Sequence, residues 1–348
     1  MSVTVIACDE SASEGENLVA SKHPVFVHGS TSLPLANAED FMVQLRAATK
    51  AQAPELKSGP LLALRNRRAL LNALPMLDGQ ANIYLVDKAF FITAKMVVLT
   101  YGEFAARRGF DIHFSGLGRE ITNVLHRDGS RAVGSGRWDA LISAFNDLVK
   151  TYARERARAP SVWPYIHALH DARAQCPRGD VAEALEMLWD ARHLALELVD
   201  PDPIEFRELD PLASSLDAVV RTWHARLGVP FEILHDRHSL LTPSVLEAIL
   251  EGSRMQVPVG DVKMPRADLR GIRVIDSKLD ARVQVADILA GTGREIARMA
   301  ADGVYDDPLQ EVVRDMLDYN VMSSGGSPID ELVGRWPPRY YVEWIARQ

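Results

Sequence analysis

Four short apolar runs, each closed by an aspartate, place the strongest constraint on this chain. Residues 3–8 lead to Asp9, 82–86 to Asp87, 229–234 to His235-Asp236, and 272–275 to Asp276. Apolar, β-branched runs of this length read as strands, and the first is continuous enough to be buried on both faces, as a central strand is. In open α/β sheets, sites form outside the carboxyl ends of strands, so acids placed there converge where strands run parallel and adjacent. Each aspartate alone has a plainer explanation, since Asp is favoured in turns and at helix N-caps.

The first strand and residues 24–29, which carry Val25, Phe26 and Val27, flank a polar turn and predict an antiparallel hairpin. Helical spacing covers residues 38–50, 61–74 and about 281–300. From residue 94 to 227 the pattern becomes long, amphipathic and rich in Ala, Leu, Arg and Glu, broken by Pro160, Pro177 and Pro201-Asp202-Pro203. The expected organisation is an α/β core in two halves, residues 1–93 and 228–348, around a helical insertion at 94–227. Trp163, Trp189 and Trp223 within the insertion read as core or interface residues. Tyr340, Tyr341 and Trp344 near the end of the chain are expected to dock onto the body or onto a partner chain.

Bulk properties narrow the function. At 348 residues and 47% hydrophobic content the chain can bury a full core. Charges and glycines interrupt every long apolar stretch, so no membrane span is expected. Two cysteines, Cys8 and Cys176, lack metal-ligand spacing and suit a reducing cytoplasm. A net charge of −8 excludes a generally basic surface for coating nucleic acid. It leaves room for a nuclease, because carboxylate-held divalent ions put positive charge where phosphate sits, and Arg65, Arg67 and Arg68 add a local basic cluster.

Asp287 is the most unusual acid. It lies in Val283-Gln284-Val285-Ala286-Asp287-Ile288-Leu289-Ala290, on a helix whose other side chains are built for packing. A carboxylate there requires a partner, either a cation such as Lys278 or an arginine, or a metal ion. Gln284 and Gly291 share its helix face, and Gly291 leaves room beside it. All-oxygen donors of this type suit Mg²⁺ or Mn²⁺ rather than zinc.

These pieces resemble the bacterial family called domain of unknown function 3800, which is assigned a ribonuclease-H-like fold. The matching segments are Asp9-Glu10-Ser11, Glu55-Leu56-Lys57, Asp87-Lys88, His235-Asp236, and Asp276-Ser277-Lys278 leading to Gln284-Val285-Ala286-Asp287. Ala12 departs from the pattern, since the family usually has glycine there. The resemblance implies a ribonuclease-H-like mixed sheet flanked by helices, with a two-metal site. Asp9 bridges the ions, Asp287 and either Asp87 or Asp236 complete the cage, and phosphodiester hydrolysis of a nucleic acid follows. Glu10 is expected to point away from Asp9 along the strand and to act in support. Lys57, Lys88 and Lys278 are candidates for phosphate contact or for pairing with the carboxylates.

Two other readings stay open: a phosphohydrolase for a small substrate, and a non-catalytic protein that binds a partner through the insertion. His126-Arg127-Asp128 has the order of a kinase catalytic loop, but no glycine-rich loop, strand lysine or Asp-Phe-Gly accompanies it. His167, His170 and Asp171 read as the polar face of a helix rather than a metal site.

Overall fold

The computed structural model describes residues 3–19, 21–52, 56–113, 115–150, 161–199, 209–255, 257–259, 262–264, 266–318 and 320–334. Glu55 and the aromatic residues Tyr340, Tyr341 and Trp344 lie outside them. Five strands form the main sheet: β1 (Thr4–Ser11), β2 (Val25–Thr31), β3 (Ala81–Asp87), β4 (Phe231–Asp236) and β7 (Leu269–Ile275). Their order is β3-β2-β1-β4-β7. A separate hairpin joins β5 (Val257–Val259) to β6 (Val262–Met264).

β2 is antiparallel to both of its neighbours, whereas β1, β4 and β7 run parallel. The carboxyl ends of β1, β3, β4 and β7 therefore share one edge of the sheet. Val25, Val27, Ile83 and Leu85 point to one face, and Phe26, Tyr84, Val86, Ile6 and Ile233 to the other. Both faces need cover.

The first face is covered by α1 (Leu35–Thr49), α2 (Ser58–Leu62), α3 (Leu64–Ala73) and α12 (Ala281–Ala301), with α13 (Pro308–Val313) and α14 (Pro328–Gly334) at its margin. The opposite face meets the helices between β3 and β4. These are α4 (Lys88–Val97), α5 (Glu103–Ala106), α6 (Leu117–Val133), α7 (Ser135–Val149), α8 (Trp163–Gln175), α9 (Asp180–Asp190) and α10 (Pro211–Leu227). α11 (Pro243–Ser253) follows β4. Leu125, Phe145 and Leu185 belong to the same apolar cluster as Phe26 and Phe231, so the helical segment and the sheet share one core. Trp223 anchors it, donating from Nε1 to the buried Ser30 hydroxyl at 2.8 Å. The stretch Lys88–Ala106 is apolar and long enough to span a bilayer by composition, and it packs here against β3, α6 and α7.

Local chemistry sets the helix starts. Asp210, Thr242, Asp280 and Asp307 each accept a backbone N–H of the helix that follows, and all but Asp280 precede a proline at the first helical position. The apolar spacing over 61–74 predicts one helix; the structure breaks it at Ala63, whose extended backbone (ψ 143°) separates α2 from α3.

α12 lies unusually close to the sheet. A Cβ on Gly29 of β2 would come within 2.4 Å of the Ala286 carbonyl oxygen and 2.6 Å of the Ala290 nitrogen. A Cβ on Gly293 would meet Ile83 and Val27 at 2.5 and 2.6 Å. Glycine inside a helix costs roughly 1 kcal/mol relative to alanine, and close backbone approach is what that cost supports here.

Candidate active site

Register and parity bring three of the predicted aspartates together. Ala7 and Leu234 pack with Val283 of α12, so Asp9 and Asp236, each two residues further along, face the same side. Cys8 pairs with His235, which sets Asp9 beside Asp236 on adjacent parallel strands at the ~4.8 Å strand spacing. Asp9 also lies opposite Gly29, the residue on which the Ala286–Ala290 turn of α12 rests. That contact places Asp287 over the end of β1.

A backbone N–H reaches each carboxylate: Glu10 to Asp9 Oδ1 (2.8 Å), Ser277 to Asp236 Oδ1 (2.9 Å) and Ser58 to Asp287 Oδ2 (3.3 Å). Asp9 is 5% exposed. Burial, then the negative fields of Glu10, Asp287 and Asp236, push its carboxyl up to about 9. Among the described residues no group of three or more His, Cys, Asp or Glu side chains is arranged to hold a metal ion. The three aspartates share a face but stand on separate backbone supports.

Gln284 lies behind the Ser277 turn. Its buried side-chain amide donates to the Ser277 carbonyl at 3.1 Å, and the Ser277 N–H in turn holds Asp236. Lys278 is exposed beside this turn, and Lys57 is exposed next to Ser58. Asp276 is spent locally: it accepts the Lys278 N–H at 3.0 Å and faces Arg237 at 3.7 Å. Of the basic cluster, Arg65 and Arg68 are exposed, whereas Arg67 pairs with Asp307.

Two expected participants lie elsewhere. Asp87 pairs with Val25, four residues along β2 from Gly29 and two strands away from Asp9. Strand geometry makes that separation on the order of 16 Å, too far to share an ion with Asp9. Asp87 instead caps α4, accepting from Ala89 and Phe90. Lys88 is 2% exposed and donates to Ser21 Oγ at 2.6 Å, so it is closed to phosphate. Burial lowers its affinity for the proton.

Glu10 points to the opposite face, as strand alternation predicts. There it meets a histidine group of which only His235, within the His235-Asp236 segment, figures in the sequence motifs. Glu10 Oε2 is buried with no hydrogen-bond partner and lies 3.9 Å from His235 Nε2, and Oε1 lies 4.0 Å from His238 Nε2. Burial and the Asp236 charge push the Glu10 carboxyl up to about 7. His235 Nε2 contacts His28 Nε2 at 3.2 Å, and His28 Nδ1 contacts Ser215 Oγ at 3.0 Å. His28 follows the apolar Val25-Phe26-Val27 in β2 and carries no local signal of its own. Comparison of the chain with protein-family models, curated proteins and solved structures returns no match.

Proposed function

We propose that this chain is a divalent-metal-dependent phosphodiester hydrolase, a nuclease on a ribonuclease-H-like core, with Asp9, Asp236 and Asp287 as its metal-binding carboxylates. The observation that carries the reading is the surroundings of Asp9. A buried carboxyl with one N–H donor and acidic neighbours on both sides is a position that folding alone leaves unfavourable, and a cation offsets it. Hard carboxylate oxygens suit Mg²⁺ or Mn²⁺. Bound there, such an ion supplies Lewis acidity toward a phosphoryl oxygen and acidifies water.

The chain's own residues position and attract. Asp9 lies between the other two carboxylates, Gln284 fixes the Ser277 turn under Asp236, and Ser58 steadies Asp287. The exposed Lys57 and Lys278 flank the group and are the phosphate contacts in this reading. A five-stranded sheet in which β2 runs against the other four strands, with an acid near the end of the central strand, supports the ribonuclease-H-like assignment. So does Ala12: the backbone there is left-handed (φ 63°), the conformation for which the resembled family's glycine is suited. The two free cysteines fit a reducing, cytoplasmic setting.

The test combines Mg²⁺ and Mn²⁺ titration calorimetry with cleavage of labelled single- and double-stranded DNA and RNA. The expected result is metal binding and metal-dependent cleavage, with activity at least about 100-fold lower in Asp9→Asn. No heat of binding and no cleavage by the folded wild-type protein would overturn the reading.

A further inference from the structure

We propose that Ser324, His126 and Asp87 form a nucleophilic acyl-transfer site, separate from the Asp9 group, that takes a carboxylic ester. The three residues come from a loop, from α6 and from the end of β3, and nothing local in the sequence makes them meet. Their hydrogen-bonding capacities set the proton positions. Asp87 Oδ1 accepts the N–H groups of Ala89 and Phe90, at 2.9 and 3.1 Å, which leaves Oδ2 facing His126 Nε2 at 3.6 Å.

A carboxylate only accepts, so it favours the tautomer with the proton on Nε2. Neutral imidazole then has its lone pair at Nδ1. Ser324 Oγ lies 2.7 Å from that nitrogen and donates its proton to it. Nucleophile, base and orienting acid thus stand in the order that activates a serine.

Backbone hydrogen bonds and ring packing hold the residues where this chemistry needs them. The Asp87 N–H donates to Met322 O, and the Met322 N–H to Leu85 O, which stitches the serine-bearing segment alongside β3. The edge of the Phe90 ring packs on His126, with centroids 5.5 Å apart. Beyond Ser324 the chain turns tightly, the Ser327 N–H donating to Ser324 O across Gly325 and Gly326, the second at φ 82°.

Ser324 is 3% exposed, and the two residues that follow it are exposed glycines with open space where a side chain would stand. The N–H of Gly325, directly after the nucleophile, is the natural donor to a developing oxyanion. Ser323 Oγ is buried without a hydrogen-bond partner among the described residues. A bound acyl oxygen would supply that partner.

The reaction balances without a cofactor. Oγ attacks the acyl carbon while its proton passes to Nδ1. Collapse of the tetrahedral adduct breaks the ester C–O bond, and the leaving alkoxide takes the proton from the imidazolium. Water then repeats the sequence on the acyl-serine, releasing the acid and restoring Ser324.

The full-length protein is treated with a fluorophosphonate probe, the adduct is mapped by mass spectrometry, and hydrolysis of p-nitrophenyl acetate is followed. The expected result is one adduct on Ser324, none in Ser324→Ala, and labelling at least about 100-fold slower in His126→Gln. Asp87→Asn keeps a capping oxygen for α4, so its slower labelling reports the tautomer and not the fold. A folded wild-type protein that takes no probe, or takes it elsewhere, overturns the proposal, as does unchanged labelling in His126→Gln. In those cases the three residues pin the 323–327 loop and do nothing more.

Discussion

Ser58 fills the space that a side chain on Gly291 would need: a Cβ at position 291 would lie 2.1 Å from both the Cβ and the Oγ of Ser58. The sequence suggested that Gly291 leaves room beside Asp287. The room is taken by the start of α2, and the occupant is useful, because the Ser58 N–H holds the Asp287 carboxylate.

Gly291→Ala should therefore push α2 away from α12 and release that hydrogen bond. Overpacking of this kind costs about 1–3 kcal/mol, and alanine's better helix propensity recovers only part of it. Urea unfolding should show a lower midpoint, and Mg²⁺ or Mn²⁺ binding should weaken in parallel. A stability equal to wild type would show that α2 yields freely.

Gln284→Ala should weaken metal binding without unfolding the protein. Its amide holds Ser277, which holds Asp236. Loss of such an outer support typically costs about 10- to 100-fold in metal affinity. Calorimetry on Gln284→Ala alongside Asp236→Asn checks this, and wild-type affinity in the first variant would remove Gln284 from the site.

Ala12→Gly should stabilise the protein. Ala12 occupies the left-handed region at φ 63°, which costs a residue with a Cβ about 1–2 kcal/mol. Glycine removes that strain but loses some of the gain to its greater freedom when unfolded, leaving a net gain of about 0.5–1 kcal/mol. The urea midpoint should rise with an unchanged m-value.

Acid should destabilise the fold partly through His28. Burial, then the neighbouring His235 and His238, lowers its affinity for the proton well below that of an exposed histidine. The nearest hydroxyl is Ser215, and Glu10 is its register partner on β1. Because the folded pKa is depressed, the unfolded chain binds the proton first. Stability from this group is complete above the unfolded value of about 6.5 and falls as the pH drops below it, by at most about 1.4 kcal/mol per pH unit. Relative to His28→Gln, the wild-type protein should lose stability between pH 7 and pH 5; parallel curves for the two would contradict this origin.

Much of the sheet was legible in the sequence because its strands are uninterrupted apolar runs, and β1, β2, β3, β4 and β7 all lie within three residues of where those runs placed them. α12 matches its predicted span to one residue at its C-terminal end. Strand order beyond the first hairpin was not legible: β4 and β7 join β1 from across the helical segment, while β3 pairs with β2 and so stands one strand removed from β1. That is why Asp87 was misplaced. An acid that ends a strand also suits the N-cap of the next helix, and only register distinguishes the two. Asp287 stood out from its local pattern and Asp236 only as one of four strand-ending aspartates, whereas Glu10's contacts with His235 and His238 and the meeting of Asp87 with His126 and Ser324 are long-range.

The absence of a side chain on Gly29 has a consequence for how the Asp9–Asp287 spacing is controlled. Where α12 rests on β2, main chain touches main chain. The gap is then a property of peptide geometry and does not follow the rotamer of any intervening residue. Core substitutions elsewhere can loosen the protein while leaving this separation intact, whereas a single methyl group at position 29 would widen it. Affinity for a cation and global stability should therefore vary independently across most of the molecule, and together at this one contact.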